Sequence, residues 1–227
     1  AKGTATHLAG VKILERFGIT EKDVKLINME VNAAQLALVT RDIDAAFGDR
    51  DYLRLRDQGV TRVLFTTRGG DPALTSNSSF LGNETFITKY PEITKRVLKV
   101  LVQNAKWLAE TPSTQVYQLW TKSGTTFSSF REDGLNEDNK YRFSPLLDPY
   151  IAVRYKFQID QAKRLSLLRN TFSFEQWVEP KFLNQALKEL NLEGYWQPRG
   201  TDGKPVQPDT KRAANDASKP ASPQPGG

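Results

Sequence analysis

At 227 residues and 38% hydrophobic, the chain can bury a sizeable core in one or two domains. It has no cysteine and a single histidine, which excludes disulfides, thiolate catalysis, cysteine-ligated metals and two-histidine metal sites. The formal charge of +6 raises nucleic acid as a partner, but basic and acidic residues interleave at helical spacing (Glu92, Lys95, Arg96; Asp160, Lys163, Arg164), the pattern of a solvated face, and no nucleic-acid-binding module accompanies them.

The chain opens on Lys2-Gly3-Thr4-Ala5-Thr6-His7. Leu8, Val11, Ile13, Leu14 and Phe17 then fall mostly on one face of a helix that Gly18 ends. Free backbone N–H groups and small hydroxyls at a helix N-terminus suit a small anion, although a threonine such as Thr4 or Thr6 is more often a plain N-cap than a ligand contact. Next, Asp23 to Asn28 reads as a short strand, Val31 to Thr40 as a helix and Ile43 to Gly48 as a second strand. A short helix holds Tyr52, Leu53 and Leu55. After Gly59, Thr61 to Thr67 makes a third strand. Alternating strands and helices predict βαβ units and a mostly parallel sheet. In such sheets ligands lie beyond the carboxyl ends of the strands, where Gly48-Asp49-Arg50 and Ser76-Asn77 fall.

Pro91 opens the clearest helix, with Ile93, Val97, Leu98, Leu101, Val102, Ala105 and Leu108 on a continuous apolar face that ends before Pro112. Thr114 to Trp120 is compatible with a helix, and Gly124 to Asn139 reads as an exposed loop. Pro149 begins a helix reaching about Arg169, with Tyr150, Val153 and Phe157 facing inward. A last helix, Pro180 to Asn191, carries Phe182, Leu183, Leu187 and Leu190, followed by Tyr195 and Trp196. From Pro198 onward six of the twelve prolines and four of the fifteen glycines collect with almost no large apolar residue. Such a stretch cannot offset its conformational entropy and is expected to be a disordered tail. No run of eighteen apolar residues suggests a membrane span.

Four features in this order resemble the periplasmic substrate-binding proteins of ABC importers for nitrate, sulfonates and taurine. They are Lys2-Gly3-Thr4 opening a helix, the Asp23–Asn28 strand, and the helix ending in Arg41-Asp42-Ile43-Asp44-Ala45, where the family usually reads Gly-Asp-Val-Asp-Ala. The fourth is Asn83-Glu84-Thr85-Phe86 followed by Tyr90-Pro91-Glu92 and the long helix to Trp107. The resemblance covers residues 1 to 110 well and 110 to 196 loosely. It implies an α/β, two-lobed fold with the ligand clamped between lobes, here incomplete: an α/β lobe over 1–80, hinge crossing and helices of the other lobe over 81–197, and the tail over 198–227. Arg41 in place of the family glycine implies another cap or a strained residue there. Family members also carry a first lobe and an opening strand before the Lys-Gly-Thr motif, so a fragment of a longer polypeptide is expected.

The resemblance implies a small anionic ligand, a permease in the inner membrane as partner, a periplasmic location and no cofactor. A thiamine-pyrimidine-synthase-like enzyme and the effector domain of a LysR-type regulator share the fold. The former relies on a cysteine-rich motif, and the latter would follow a helix-turn-helix region. The candidate ligand-binding residues are Thr4, Thr6, His7, Gly48, Asp49, Arg50, Ser76 and Asn77. Arg50 offers a planar fork for carboxylate or sulfonate, its alternative being an ion pair with Asp49 or Asp51. No catalytic residue and no metal ligand is expected. A triad would have to use His7, no Gly-x-Ser-x-Gly elbow is present, and the neighbouring carboxylates of Asp49 and Asp51 suit hydration better than acid/base work.

Overall fold

A computed structural model of the chain describes residues 2–68, 70–75 and 79–206. Several of its helices begin where a short polar side chain takes a free N–H. Thr4 does so for α1 (Ala5–Arg16), accepting from the His7 N–H at 3.3 Å. The buried face of α1 is His7 to Val11. Gly10 lies under the Phe47 ring, where a Cβ would come within 2.7 Å of ring carbon, so glycine permits this close approach. Helix α2 (Val31–Thr40) ends on Arg41, left-handed at φ 65° and ψ 27°, with its N–H turned back to Ala37 and Leu38 carbonyls. A left-handed position is thus filled by an L-residue rather than glycine, at a cost of roughly 1–2 kcal/mol. Arg50–Tyr52 form a 3-10 turn leading into α3 (Leu53–Asp57), which buries Leu55.

Helix α4 (Glu84–Lys89), capped by Asn83, leads into α5 (Pro91–Glu110), with proline at its first position as expected. Helices α6 (Ser113–Trp120), α7 (Phe127–Asp133), α8 (Asn139–Arg142), α9 (Pro149–Arg164), α10 (Phe174–Trp177) and α11 (Lys181–Glu189) follow. The expected exposed loop from Gly124 to Asn139 is therefore corrected. Thr126 caps α7, and Phe130 and Ser129 are buried from it. Asn139 turns inward, its amide donating to the Leu108 and Thr111 carbonyls at 3.2 and 3.4 Å, and so caps the C-terminal end of α5 from a distance.

Two apolar clusters hold these helices together. In one, Val102 and Ala105 of α5 meet Leu183, Ala186 and Leu187 of α11, closed by Trp196. In the other, Leu108, Val116, Tyr117 and Phe130 pack with Trp120, Phe127 and Phe143 around them. The ring pairs there are edge-on, tilted and stacked at 5.5–6.3 Å, the range in which aromatic pairs attract. Helix α9 lies across α1 and the 3-10 turn Pro72–Leu74.

Beyond α11 the fold continues past Pro198, the expected start of the tail. Asp148, the N-cap of α9, is almost wholly buried and accepts from both Arg199 N and Nε at 3.1 and 3.0 Å. Arg199 Nη1 also donates to the Tyr141 carbonyl, and its guanidinium stacks on Tyr150 with 4.4 Å to the ring centroid. An antiparallel bridge, Arg199 to Pro205, closes a small turn over this anchor. Residues 207–227, the rest of the expected tail, lie outside the described residues.

The α/β expectation is not met in the same way. Among the described residues no strands pair into a sheet, and the only bridge is Arg199 to Pro205. The segments expected as strands run irregular or extended, and Leu26, Ile27, Val63, Leu64 and Phe65 stand exposed. Consecutive apolar residues of this kind suit a strand covered on both faces in a parallel sheet. A strand, unlike a helix, must find its hydrogen bonds on a neighbour. Helix α5 shows the same imbalance on one side, where Ile93, Val97, Val100 and Leu101 are exposed.

Candidate ligand-binding site

The start of α1 is tied down locally. Gly3, at φ 86°, donates its N–H to His7 Nδ1 at 3.1 Å. Since that nitrogen accepts, the proton sits on Nε2, which donates to Glu21 Oε1 at 3.2 Å. Both ring nitrogens of the buried His7 are therefore engaged. Lys2 N–H donates to Asn28 Oδ1 at 2.9 Å. Thr4 acts as an N-cap, the plainer of its two readings, while Thr6 faces solvent.

The loop after Phe47 is built differently. Gly48 has the Tyr52 ring directly against it, where a Cβ would collide. Asp49 Oδ1 accepts from the Asp51 N–H at 3.2 Å and caps the 3-10 turn. Asp51 reaches across to Thr125, whose hydroxyl donates to Oδ1 at 3.4 Å. Burial, reinforced by the nearby Asp49 carboxylate, raises the Asp51 carboxyl above its ordinary range. Gln35 Nε2 donates to the Asp51 carbonyl at 3.1 Å, joining α2 to the loop.

Arg50 pairs with neither Asp49 nor Asp51. Its Nη1 lies 3.4 Å from Asp133 Oδ2 at the end of α7, and its guanidinium carbon is 5.4 Å from the Phe130 ring centroid. Arg142 Nη2 reaches the same oxygen at 2.5 Å, and Arg68 Nη2 faces the other oxygen at 4.0 Å. Next to it, Arg56 grips Glu132 with both terminal nitrogens at 2.6 Å. Those hydrogen bonds hold the Glu132 carboxyl below its ordinary range and raise Arg56. Arg50 and Arg68 stand just past the segments expected as the second and third strands, where an α/β sheet presents ligands. The site is thus a set of guanidinium forks, suited to an oxyanion, and partly occupied by the protein's own carboxylates.

Of the residues singled out by sequence, the structure groups Thr4 with His7, and Gly48 with Asp49 and Arg50. Among the described residues no hydrogen bond or ion pair joins Arg50 to Thr4, Thr6 or His7. Ser76 and Asn77 lie outside the described residues. Glu21, Arg56, Arg68, Glu132, Asp133 and Arg142 were missed. Most of these partners lie tens of residues apart in sequence, and only the Arg131-Glu132-Asp133 run marked α7 as charged. Among the described residues no His/Cys/Asp/Glu cluster could hold a metal ion, and no helix is long and apolar enough to cross a membrane.

Residues 7–115 match the protein family described as NMT1/THI5 like. The chain is also similar to a solved structure described as the periplasmic sulfonate-binding protein SsuA of a sulfonate ABC transporter of Methylobacillus flagellatus KT. The identity is 25% and the TM-score 0.69, over 88% of this chain and 61% of that one. The chain therefore spans about three fifths of that protein's length. Among curated proteins no sequence matches. The resemblance to substrate-binding proteins of the sulfonate and nitrate family holds in both comparisons, and the likeness in structure is to a periplasmic-binding-protein fold.

Proposed function

We propose, from this likeness to an ABC substrate-binding protein, that the chain is part of the solute-binding component of an importer. It captures a small organic or inorganic anion in the periplasm, without chemistry, and delivers it to a membrane permease. Sulfonate, taurine and nitrate are the candidate ligands. Residues 1–80 form the ligand-binding lobe and 81–197 the hinge crossing with helices of the other lobe. The extended segments at 23–28, 43–48 and 61–67 are strands of a parallel sheet.

The observation that carries the reading is the placement of Arg50 and Arg68. Both follow expected strands and both turn to the Asp133 carboxylate, and guanidinium donors at the carboxyl ends of strands support a ligand site there. The Gly48–Tyr52 turn adjoins Arg50, while the start of α1 forms a second polar group. Thr4 contributes there as the N-cap that fixes the first turn rather than through a free hydroxyl.

Isothermal titration of the chain with taurine, methanesulfonate, nitrate and benzoate tests this. At least one anion is expected to bind. Losing a hydrogen bond to a charged ligand group costs about 1.5–3 kcal/mol, so Arg50→Glu should weaken that anion by tenfold or more. Lys188→Glu, an exposed residue on α11, serves as the control. Binding of no anion, or equal binding by wild type and Arg50→Glu, contradicts the proposal.

A further inference from the structure

The charge balance around Asp133 is unequal. Three guanidiniums face one carboxylate: Arg50 and Arg142 at Oδ2, and Arg68 at Oδ1. Glu132 is taken up with Arg56, and Glu137 Oε2 stands 3.4 Å from Arg142 Nη1. One guanidinium atom of this cluster, Arg50 Nε, is buried yet donates no hydrogen bond among the described residues. A buried donor without an acceptor is costly, and guanidiniums bind tetrahedral oxyanions as readily as carboxylates. The carboxylate itself is a quarter exposed, and Arg50 and Arg68 about two fifths, so solvent ions reach the cluster.

We infer that Asp133 is a tethered competitor at this site: a sulfonate or sulfate group binds Arg50 and Arg68 by displacing the Asp133 carboxylate, which stays with Arg142. The inference rests on the anion-binding reading proposed above and adds the residues and the exchange. An oxyanion with three acceptor oxygens satisfies more of the available N–H groups than Asp133 does, with its Oδ2 shared between two arginines and its Oδ1 only within 4.0 Å of the third. The tethered carboxylate prevents the arginines from facing one another uncompensated when no ligand is bound. It also sets a threshold, because the ligand must outcompete an intramolecular group at high effective concentration.

The test is titration calorimetry with methanesulfonate and with inorganic sulfate on the wild-type chain, Asp133→Asn and Asp133→Asn/Arg68→Gln. Asp133→Asn keeps the shape of the side chain and removes its charge. It should tighten methanesulfonate about tenfold, the scale of one charged hydrogen-bonding interaction, and the added Arg68→Gln should reverse the gain. In parallel, hydrogen exchange of the wild-type α7 amides should speed up at saturating methanesulfonate, a readout that needs no variant. Wild-type binding with unchanged or weaker affinity in Asp133→Asn overturns the inference and leaves the anion-binding proposal standing. Binding of neither anion to any of the three proteins overturns both.

Discussion

The chain from Pro91 to Pro205 and the chain before it carry similar densities of apolar residues, yet both buried apolar clusters lie in the former. Val102 and Ala186 are wholly buried and Trp196 almost so, whereas Leu64 is 71% exposed and Leu26, Ile27, Val63 and Phe65 are all exposed. The difference lies in where backbone hydrogen bonds go. A helix satisfies its own N–H and C=O groups, so an apolar stripe such as that of α5 needs only another helix to cover it. An extended segment needs a neighbouring strand as well as a covering layer. The candidate site sits on the junction, held by ion pairs between the Arg50, Arg56 and Arg68 side and α7.

The contrast breaks most sharply at the helical core and its C-terminal anchor. Trp196→Ala is expected to cost about 3–5 kcal/mol in urea unfolding, since it empties the cavity between α5 and α11. Arg199→Met should cost a similar amount, about 3–5 kcal/mol, by leaving the buried Asp148 carboxylate without its partner. The latter variant also checks that the segment after Pro198 is docked, because a free tail would tolerate it.

A gain is expected where the helix-ending conformation strains its residue. Arg41→Gly removes the left-handed strain at the cost of chain entropy in the unfolded state, and should stabilise by up to about 1 kcal/mol. A thermal midpoint that falls would mean Arg41 makes a contact worth more than its strain.

How much of this was legible in the sequence follows the same divide. Helices α1, α2, α5, α9 and α11 were read closely because their periodicity is local. Helix α9 ends at Arg164 rather than Arg169, and α11 spans Lys181–Glu189. Helices α7 and α8 were missed because they are short, polar and bounded by Gly124, Gly134 and Asp138, which read as loop punctuation. Ser129, read as an exposed loop residue, is instead 1% exposed, with the Thr126 hydroxyl 2.8 Å from its own. The fork of Arg50 and its place after an expected strand are both local signals. Its partner Asp133 is 83 residues away, and pairing at that distance is set by tertiary packing. His7 was similarly visible as a lone titratable group near a helix start, but its closure by Gly3 and Glu21 depends on a turn that sequence reading did not resolve.

The junction sharpens with pH. The Arg56 hydrogen bonds hold the Glu132 carboxyl below its ordinary range, near 4.3 when unperturbed. A depressed carboxyl contributes stability that is present above the unfolded value and is lost as pH falls through the folded one. The α3–α7 contact should therefore hold from neutral pH to about 4 and weaken below that, by no more than about 1 kcal/mol for a pair this exposed. Glu132→Gln should remove that part of the acid dependence in unfolding measured against pH. The smallest effect is expected on the exposed segment: Leu64→Ser should leave stability within about 0.5 kcal/mol while reducing self-association on sizing columns, since it shrinks an uncovered apolar patch.

Hydrogen exchange followed by mass spectrometry, with and without methanesulfonate, tests the placement of the ligand most directly. Binding at the junction predicts slower exchange in Gly48–Leu53 and Thr66–Arg68 when the anion is added, with α5 and α11 unchanged. Protection that appears only in the helical core, or nowhere while calorimetry reports binding, would contradict the site.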